Sequence, residues 1–298
     1  MKLLSDFDGV WTYPDEEGAA HGAALDAALE AAVGEGERAA VHAWVARARA
    51  TLRAEPARWG WSSAGRISAF ADEDPFTEHG ALLYFLEQAR ATDPLAARLA
   101  AAVEERDGSL DAFGGRAHVG GVRDVEARRG PGITAAAATA GRELLARGVE
   151  IVVVSNSGTE KLQRWFEHAG VPNTIHPARA QGALRVRGSA RKFVLAAGAG
   201  EILEVGGLRV DVARPHYEEV LREERPDAVV GDVFSLDLAL PLALKRRDPA
   251  WRAVRLFWLS HPYSSQPMRR ALEGLPAGDV DIVEGGLAGV ARRLLGKG

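Results

Sequence analysis

The run VEIVVV, Val149–Val154, constrains the fold more than any other stretch of the chain. Side chains branched at Cβ are stiff and favour extended backbone, so this segment reads as a buried strand. Its neighbours are helical in pattern, Ile133–Arg147 before it and Thr159–His168 after it. Further short apolar runs follow at Ala228–Val230, Val254–Leu259 and Val280–Val283, and Leu3-Leu4 opens the chain with another. Continuous apolar strands separated by helices imply an α/β fold, a Rossmann-like parallel sheet with helices on both faces. Ligands of such sheets bind beyond the carboxyl ends of the strands. That rule selects Asp6, Ser155 and Asp232, each standing just past one of these runs.

At the first of those ends the sequence is SDFDGVWT, Ser5–Thr12. Asp6 and Asp8 are two apart, and in extended chain such residues share a face, so both carboxylates can converge on one cation or phosphate. Gly9 suits the tight turn after a strand. An acidic strand-to-turn boundary is the competing reading, because Asp and Gly are common turn formers.

Composition removes whole classes of chemistry. The 298 residues contain no cysteine, which excludes disulfides, a thiol nucleophile and cysteine zinc sites, so a metal would be bound by oxygen or imidazole. An apolar share of 47% and a charged share of 26% are those of an ordinary globular protein, expected in the cytoplasm. A net charge of -4 offers no broad basic field, so neither nucleic acid nor a membrane surface is an expected partner. No run approaches the roughly 20 apolar residues of a membrane span, and MKLLSDFD is too short in leucine for a signal peptide.

Between residues 13 and 129 the pattern changes. It is alanine-rich and helical, with Val41, Trp44, Val45 and Leu52 on one face and Leu82, Leu83, Phe85 and Leu86 on another, and strand-like runs are nearly absent. Pro94 opens a helical run that Asp107-Gly108 ends. From Leu110 to Gly132, six glycines read as a loop or linker returning the chain to its other part. The chain therefore divides into a core of 1–12 and 130–298 and an inserted helical unit of 13–129. Glu201–Val205 and Leu208–Val212 flank Gly206-Gly207 as a hairpin.

Three strand ends now carry motifs in order: SDFDGVWT, then IVVVSNSG with Ser155 and Asn156, then AVVGDVFSLD with Gly231, Asp232 and Asp237. Together they resemble the haloacid dehalogenase superfamily, over the first twelve residues and about 130 to 298. Asp6, Asp8, Gly9 and Thr12 fill the opening DxDGxxT pattern. The resemblance implies a magnesium-dependent phosphohydrolase acting on a small phosphorylated metabolite, and it leaves the oligomeric state open. Asp6 is then the nucleophile that forms an aspartyl-phosphate, and Asp8 is the acid and base. Asp6, the backbone carbonyl of Asp8, and Asp232 hold Mg2+, with Gly9, Gly231 and Asp237 in support. Ser155 binds a phosphate oxygen, joined by Thr12 and Asn156. Asp237 as a helix N-terminal acid, and Ser155 or Ser157 as a helix cap, are the structural alternatives.

The family's motif-three lysine has two claimants. Lys192 lies in RGSARKFVL, whereas Arg214 in ARPHYEEVL resembles the family's Lys-Pro with arginine in place of lysine. Arginine is not a simple substitute for a point-charge lysine, so Lys192 takes the catalytic role and Arg214 a second phosphate or structural contact. A solvated surface cation is the alternative for both. The insertion occupies the place of the family's cap, where Trp11, Trp59, Trp61, Arg66 and His79 are candidate contacts, although core packing is the commoner fate of aromatics. His261 follows a buried strand and reads better as a satisfied loop histidine. The presence of Asp8 and Asp232 favours phosphatase over dehalogenase chemistry. Phosphonate cleavage, phosphate transfer, and a non-catalytic phospholigand-binding or regulatory protein are the alternatives.

Overall fold

The computed structural model describes residues 1–177 and 181–296. It separates into two compact units, Met1–Tyr13 with Pro131–Gly298, and Pro14–Gly130.

In the first unit, strand β1 (Lys2–Ser5) opens the chain. In the second unit, helix α1 (Asp15–Ala31) and helix α2 (Arg38–Ala54) lead to strands β2 (Gly60–Ser63) and β3 (Arg66–Phe70). Helices α3 (Thr77–Ala89), α4 (Pro94–Asp107) and α5 (Leu110–Arg129) complete it. The chain then returns to the first unit through helix α6 (Ala135–Ala146), strand β4 (Glu150–Val154), helix α7 (Thr159–His168), strand β5 (Asn173–Thr174) and strand β6 (Leu184–Arg187). After the hairpin β7 (Ile202–Val205) and β8 (Leu208–Asp211) come α8 (Pro215–Glu224), β9 (Ala228–Gly231), α9 (Ala239–Arg247) and β10 (Arg255–Leu259). Helix α10 (Gln266–Glu273), strand β11 (Asp281–Val283) and helix α11 (Gly286–Leu294) finish the chain.

The sheet is seven-stranded in the order β11-β10-β9-β1-β4-β6-β5, and every pairing in it is parallel. Ile151–Val154 and all of β9 are buried, as a sheet covered on both faces requires. Leu3, Ile151, Val153, Val230 and Phe257 pack on one side with Phe7, Trp11, Trp165 and Phe166. Phe166 meets Trp11 edge-on at 4.9 Å and Phe7 at 5.5 Å, which fixes the backbone on either side of Asp8. Because β9, β1 and β4 are adjacent, their three carboxyl ends open side by side.

The second unit departs from the sequence reading in two ways. It carries an antiparallel hairpin, β2 with β3, turned by Ala64-Gly65 at positive φ. Its four-residue and five-residue strands are too short for a period-two signal to stand out among alanine-rich helices. The segment from Leu110 is also a 20-residue helix rather than a linker, and Gly130 caps it. Two of its glycines are contact points. A Cβ on Gly121 would sit 2.7 Å from His21 Cα, and one on Gly114 would sit 2.5 Å from Leu83 Cδ1. Close helix approach, rather than chain reversal, is what these glycines provide. Leu25, Leu29, Val41, Trp44, Leu82, Leu86, Leu99 and Phe113 form this unit's core. Among the described residues, no helix is long and apolar enough to cross a membrane.

Candidate active site

Asp6 immediately follows β1, and its N–H donates to the Val230 carbonyl of β9 at 2.9 Å. The backbone therefore turns out of the sheet already anchored to the neighbouring strand. Ser5 Oγ donates to the Asp6 carbonyl at 2.7 Å, and Trp11 Nε1 donates to Ser5 Oγ at 2.9 Å. This short chain of bonds fastens the loop 6–11 onto the strand it leaves. Trp11 is fully buried and belongs to the core.

The segment after β6 is stitched to the end of β4. Ser189 N–H donates to the Ser157 carbonyl, Ala190 N–H to the Ser155 carbonyl, and Lys192 N–H to Asn156 Oδ1 at 2.8 Å. Ser189 and Arg191 adopt left-handed φ of 54° and 53°, a conformation that costs non-glycine residues free energy and persists only where its surroundings hold it. From behind, Arg214 Nη1 donates to the Lys192 carbonyl at 2.7 Å. Arg214 is itself completely buried. Of the two cations weighed from the sequence, Lys192 thus faces the strand ends, and Arg214 makes a structural contact that holds it.

Lys192 Nζ donates to Asp6 Oδ1 and to Asp237 Oδ1, both at 2.5 Å, and lies only 3% exposed. Burial alone would lower its pKa, but Asp237 and Asp6 outweigh that and hold it above the ordinary lysine value. Asp6 is raised well above the usual carboxylate range, first by burial and then by the facing Asp237 charge, against the pull of Lys192. Asp237 lies in a π-helical turn, Phe234–Leu238, and its Oδ2 accepts Val233 N–H at 3.1 Å. A Cβ on Gly231 would overlap the Asp237 side chain, so glycine there lets the carboxylate fold back toward the strand. Tyr217 supports this turn by donating its hydroxyl to the Asp237 carbonyl at 2.9 Å.

Asp232 ends β9. Its backbone carbonyl accepts Trp258 Nε1 at 2.7 Å, and its Oδ2 accepts the Tyr263 hydroxyl at 2.9 Å. Oxygens of Asp6, Asp232 and Asp237 lie within 4.8 Å of one another, an all-oxygen group able to hold a hard cation. Asp8 is half-buried, with Oδ2 3.4 Å from the donating Ser157 hydroxyl, and its buried Oδ1 has no hydrogen-bond partner among the described residues. Ser155 Oγ accepts Ser157 N–H at 3.0 Å, which leaves its own proton free to point elsewhere. The N-cap of α7 is Gly158, with no side-chain cap from Ser155 or Ser157. Thr12 bridges Ile133 through its backbone, and its buried hydroxyl has no hydrogen-bond partner among the described residues.

Two further groups, Tyr217 and Tyr263, join the site without having been selected from the sequence. The His261 Nε2–H donates to the Gly9 carbonyl at 2.7 Å, and its N–H donates to Ser264 Oγ, so it is a satisfied loop histidine at the mouth. The His261 and Tyr263 rings stack at 4.9 Å, and Tyr13 meets both edge-on. The rule that sites lie past strand ends, which singled out His261 after β10, needed only two more residues to reach Tyr263.

The chain was compared with known proteins. No protein-family model matches it, and no curated protein does. Among solved structures it is similar to a haloacid dehalogenase-like family hydrolase from Xanthomonas campestris, at 13% identity over 99% of this chain and 95% of that one, with a TM-score of 0.42. The likeness is to haloacid dehalogenase-like hydrolases. A 2-haloacid dehalogenase from Pseudomonas syringae pv. tomato matches at 16% identity over 100% of this chain and 99% of its own, TM-score 0.41. The Bacillus subtilis HAD-hydrolase YfnB, bound to magnesium, matches at 13% identity over 87% of each chain, TM-score 0.36.

Proposed function

We propose that this chain is a magnesium-dependent phosphohydrolase of the haloacid dehalogenase superfamily that acts on a small phosphorylated metabolite. One observation carries the reading: a single buried ammonium, Lys192, is shared by Asp6 and Asp237 in a cluster to which Asp232 adds a third carboxylate. Three ionised carboxylates against one ammonium leave two negative charges, which one divalent cation would balance. Burial first, and the facing Asp237 charge after it, raise the pKa of Asp6 on protein groups alone, so a cation beside it would favour its ionised form. The donors are hard oxygens, a set that suits Mg2+. Asp6, Asp232 and the backbone carbonyl of Asp8 are the residues we assign to it. When bound, the ion supplies the positive charge that keeps Asp6 ionised and neutralises a phosphoryl group.

In the proposed reaction Asp6 attacks phosphorus, giving an aspartyl-phosphate, and the ester oxygen leaves with a proton from Asp8. Asp8 then takes a proton from the water that hydrolyses the intermediate, which returns both acids to their starting forms. A carboxyl with one unpartnered oxygen suits that exchange, because it is not locked by neighbours. Lys192 holds Asp6 in line and balances phosphate charge, and the Ser155 hydroxyl donates to a phosphate oxygen. Asn156 and Arg214 act through Lys192, as positioning residues. We assign substrate choice to the inserted unit, as the resemblance implies.

The test is release of inorganic phosphate from p-nitrophenyl phosphate and from a panel of phosphorylated sugars, nucleotides and amino-acid precursors, with Mg2+ or with chelator. Halide release from a 2-haloacid is followed in parallel. Turnover is expected only with Mg2+, with Asp6→Asn at background and no halide released. Chelator-resistant turnover, or an Asp6→Asn variant as active as the parent, overturns the reading.

A further inference from the structure

The second unit contains a cluster that the acidic site does not use. His21 on α1, His79 on α3 and His118 on α5 come from three separate helices, and His79 and His118 each turn Nδ1 toward that of His21. His79 Nδ1 lies 2.9 Å from His21 Nδ1, and His118 Nδ1 lies 3.4 Å from the same atom. The rings stand edge to face, with centroids 4.2 and 4.8 Å apart, so the nitrogens, rather than the ring faces, meet. Glycines make room for this. A Cβ on Gly22 would sit 2.9 Å from His79 Nε2, and one on Gly121 would press on His21 Cα.

We propose that His21, His79 and His118 form a binding site for a divalent transition-metal ion such as Zn2+, separate from the acidic cluster. Neutral imidazole is the ligand form. Burial first, and the neighbouring histidines after it, hold His21 down to about 3 and His79 down to about 2, so both keep their lone pairs at neutral pH. Three imidazole nitrogens suit Zn2+, Co2+, Ni2+ or Cu2+, and they disfavour Mg2+. Two ligand nitrogens each about 2.0–2.1 Å from one ion sit roughly 2.9–3.5 Å apart, and both contacts at His21 fall in that range. His118 is only half-buried, which gives an ion a way in. The three nitrogens do not already lie within 4.8 Å of one another, so the His118 ring turns about its side-chain bonds to bring its nitrogen toward that of His79. In the short contact one Nδ1 must carry a proton to bond the other. Metal binding moves that proton to the Nε2 of the same ring, so the trio changes tautomer without net proton release.

The experiment uses the full chain carrying Asp232→Asn, so that metal at the acidic cluster does not mask the signal, stripped with chelator and titrated with Zn2+ or Co2+. One equivalent is expected to bind, with a rise in Tm and a visible Co2+ spectrum of nitrogen ligation. Adding His118→Gln is expected to weaken binding by at least the about 10–100-fold that loss of even an outer partner costs. Zn2+ affinity unchanged by His118→Gln, or no Zn2+ binding at all, overturns the site. Imidazole nitrogen NMR of the chain with all three histidines intact gives an independent readout: Zn2+ should shift the Nδ1 signals of His21, His79 and His118 together, and a spectrum unchanged by Zn2+ overturns it equally.

Discussion

Gly9 gives its side-chain space to the carboxylate of Asp232: a Cβ built on Gly9 would overlap the Asp232 carboxyl group, and Gly9 also holds a left-handed φ of 71°. The residue beside one acid of the opening motif is thus fixed by an acid more than 200 positions later. Gly9→Ala meets both obstacles. The backbone conformation alone costs about 1–2 kcal/mol, and the overlap displaces Asp232 from Tyr263 and Trp258. A Tm lower by several degrees and a weaker response to Mg2+ are expected by thermal scanning. An unchanged Tm would show that neither the left-handed backbone nor the displaced carboxylate carries a cost.

Lys192 makes the second prediction. Breaking a buried ion pair by removing one partner costs about 3–5 kcal/mol, because the other charge stays buried. Lys192→Met leaves Asp6 and Asp237 facing each other and should shift the urea midpoint accordingly. Asp237→Asn removes one of those charges, so the double variant Lys192→Met/Asp237→Asn should recover part of the loss. A double-mutant cycle reads the coupling, expected in the 0.5–3 kcal/mol range of residues in direct contact. Strict additivity would mean that the Lys192–Asp237 contact at 2.5 Å carries no energy of its own.

How far the sequence reaches can be seen at particular residues. Val149–Val154 announces β4 because a strand buried on both faces needs no alternation, and the same logic finds β1, β9, β10 and β11. It does not find β6, where Leu184 and Val186 alternate with Arg185 and Arg187. Arginine in a central strand makes sense only with its partners, Glu223 and Glu224, which α8 supplies almost 40 residues later. Glycines misled along α5 for a related reason: whether a glycine breaks a helix or lets another helix approach depends on a neighbour that the local sequence does not name. At the site, the strand-end rule brings Asp6, Ser155 and Asp232 to adjacent strands, β1, β4 and β9. The hydrogen bonds of Asn156 and Arg214 to Lys192 depend on three-dimensional fit, and no spacing encodes them.

The buried histidines predict an acid response. His21 and His79 have folded-state values near 3 and 2, against about 6.5 when unfolded. Between those values the unfolded chain binds more protons than the folded one, so stability falls as pH drops below about 6.5. Each pH unit in that window is worth roughly 1.4 kcal/mol per histidine. Unfolding midpoints followed from pH 7 to pH 5 in chelator should therefore decline, and the decline should lessen in His79→Gln. A midpoint flat across that range would mean that the trio is already protonated or open to water.

Glu224 predicts a second, lower-lying acid limb. It is 4% exposed and joins Arg185, Arg187 and Lys2. Burial pushes its carboxyl upward, but the hydrogen bonds and charges of Arg185 and Arg187 outweigh this and hold it below the ordinary glutamate value. A depressed carboxylate contributes stability that is complete above its unfolded value, about 4.3, and is lost as pH falls through its folded one. Glu224→Gln leaves buried Arg185 with only the more distant Glu150, 3.9 Å away, whereas Arg187 reaches solvent more readily, so a loss toward the low end of the range for buried pairs, about 3 kcal/mol, is expected. Its urea midpoint should fall at pH 7 and converge on that of the parent as both are acidified. A variant as stable as the parent at pH 7 would mean that α8 is held to β6 by its apolar residues alone.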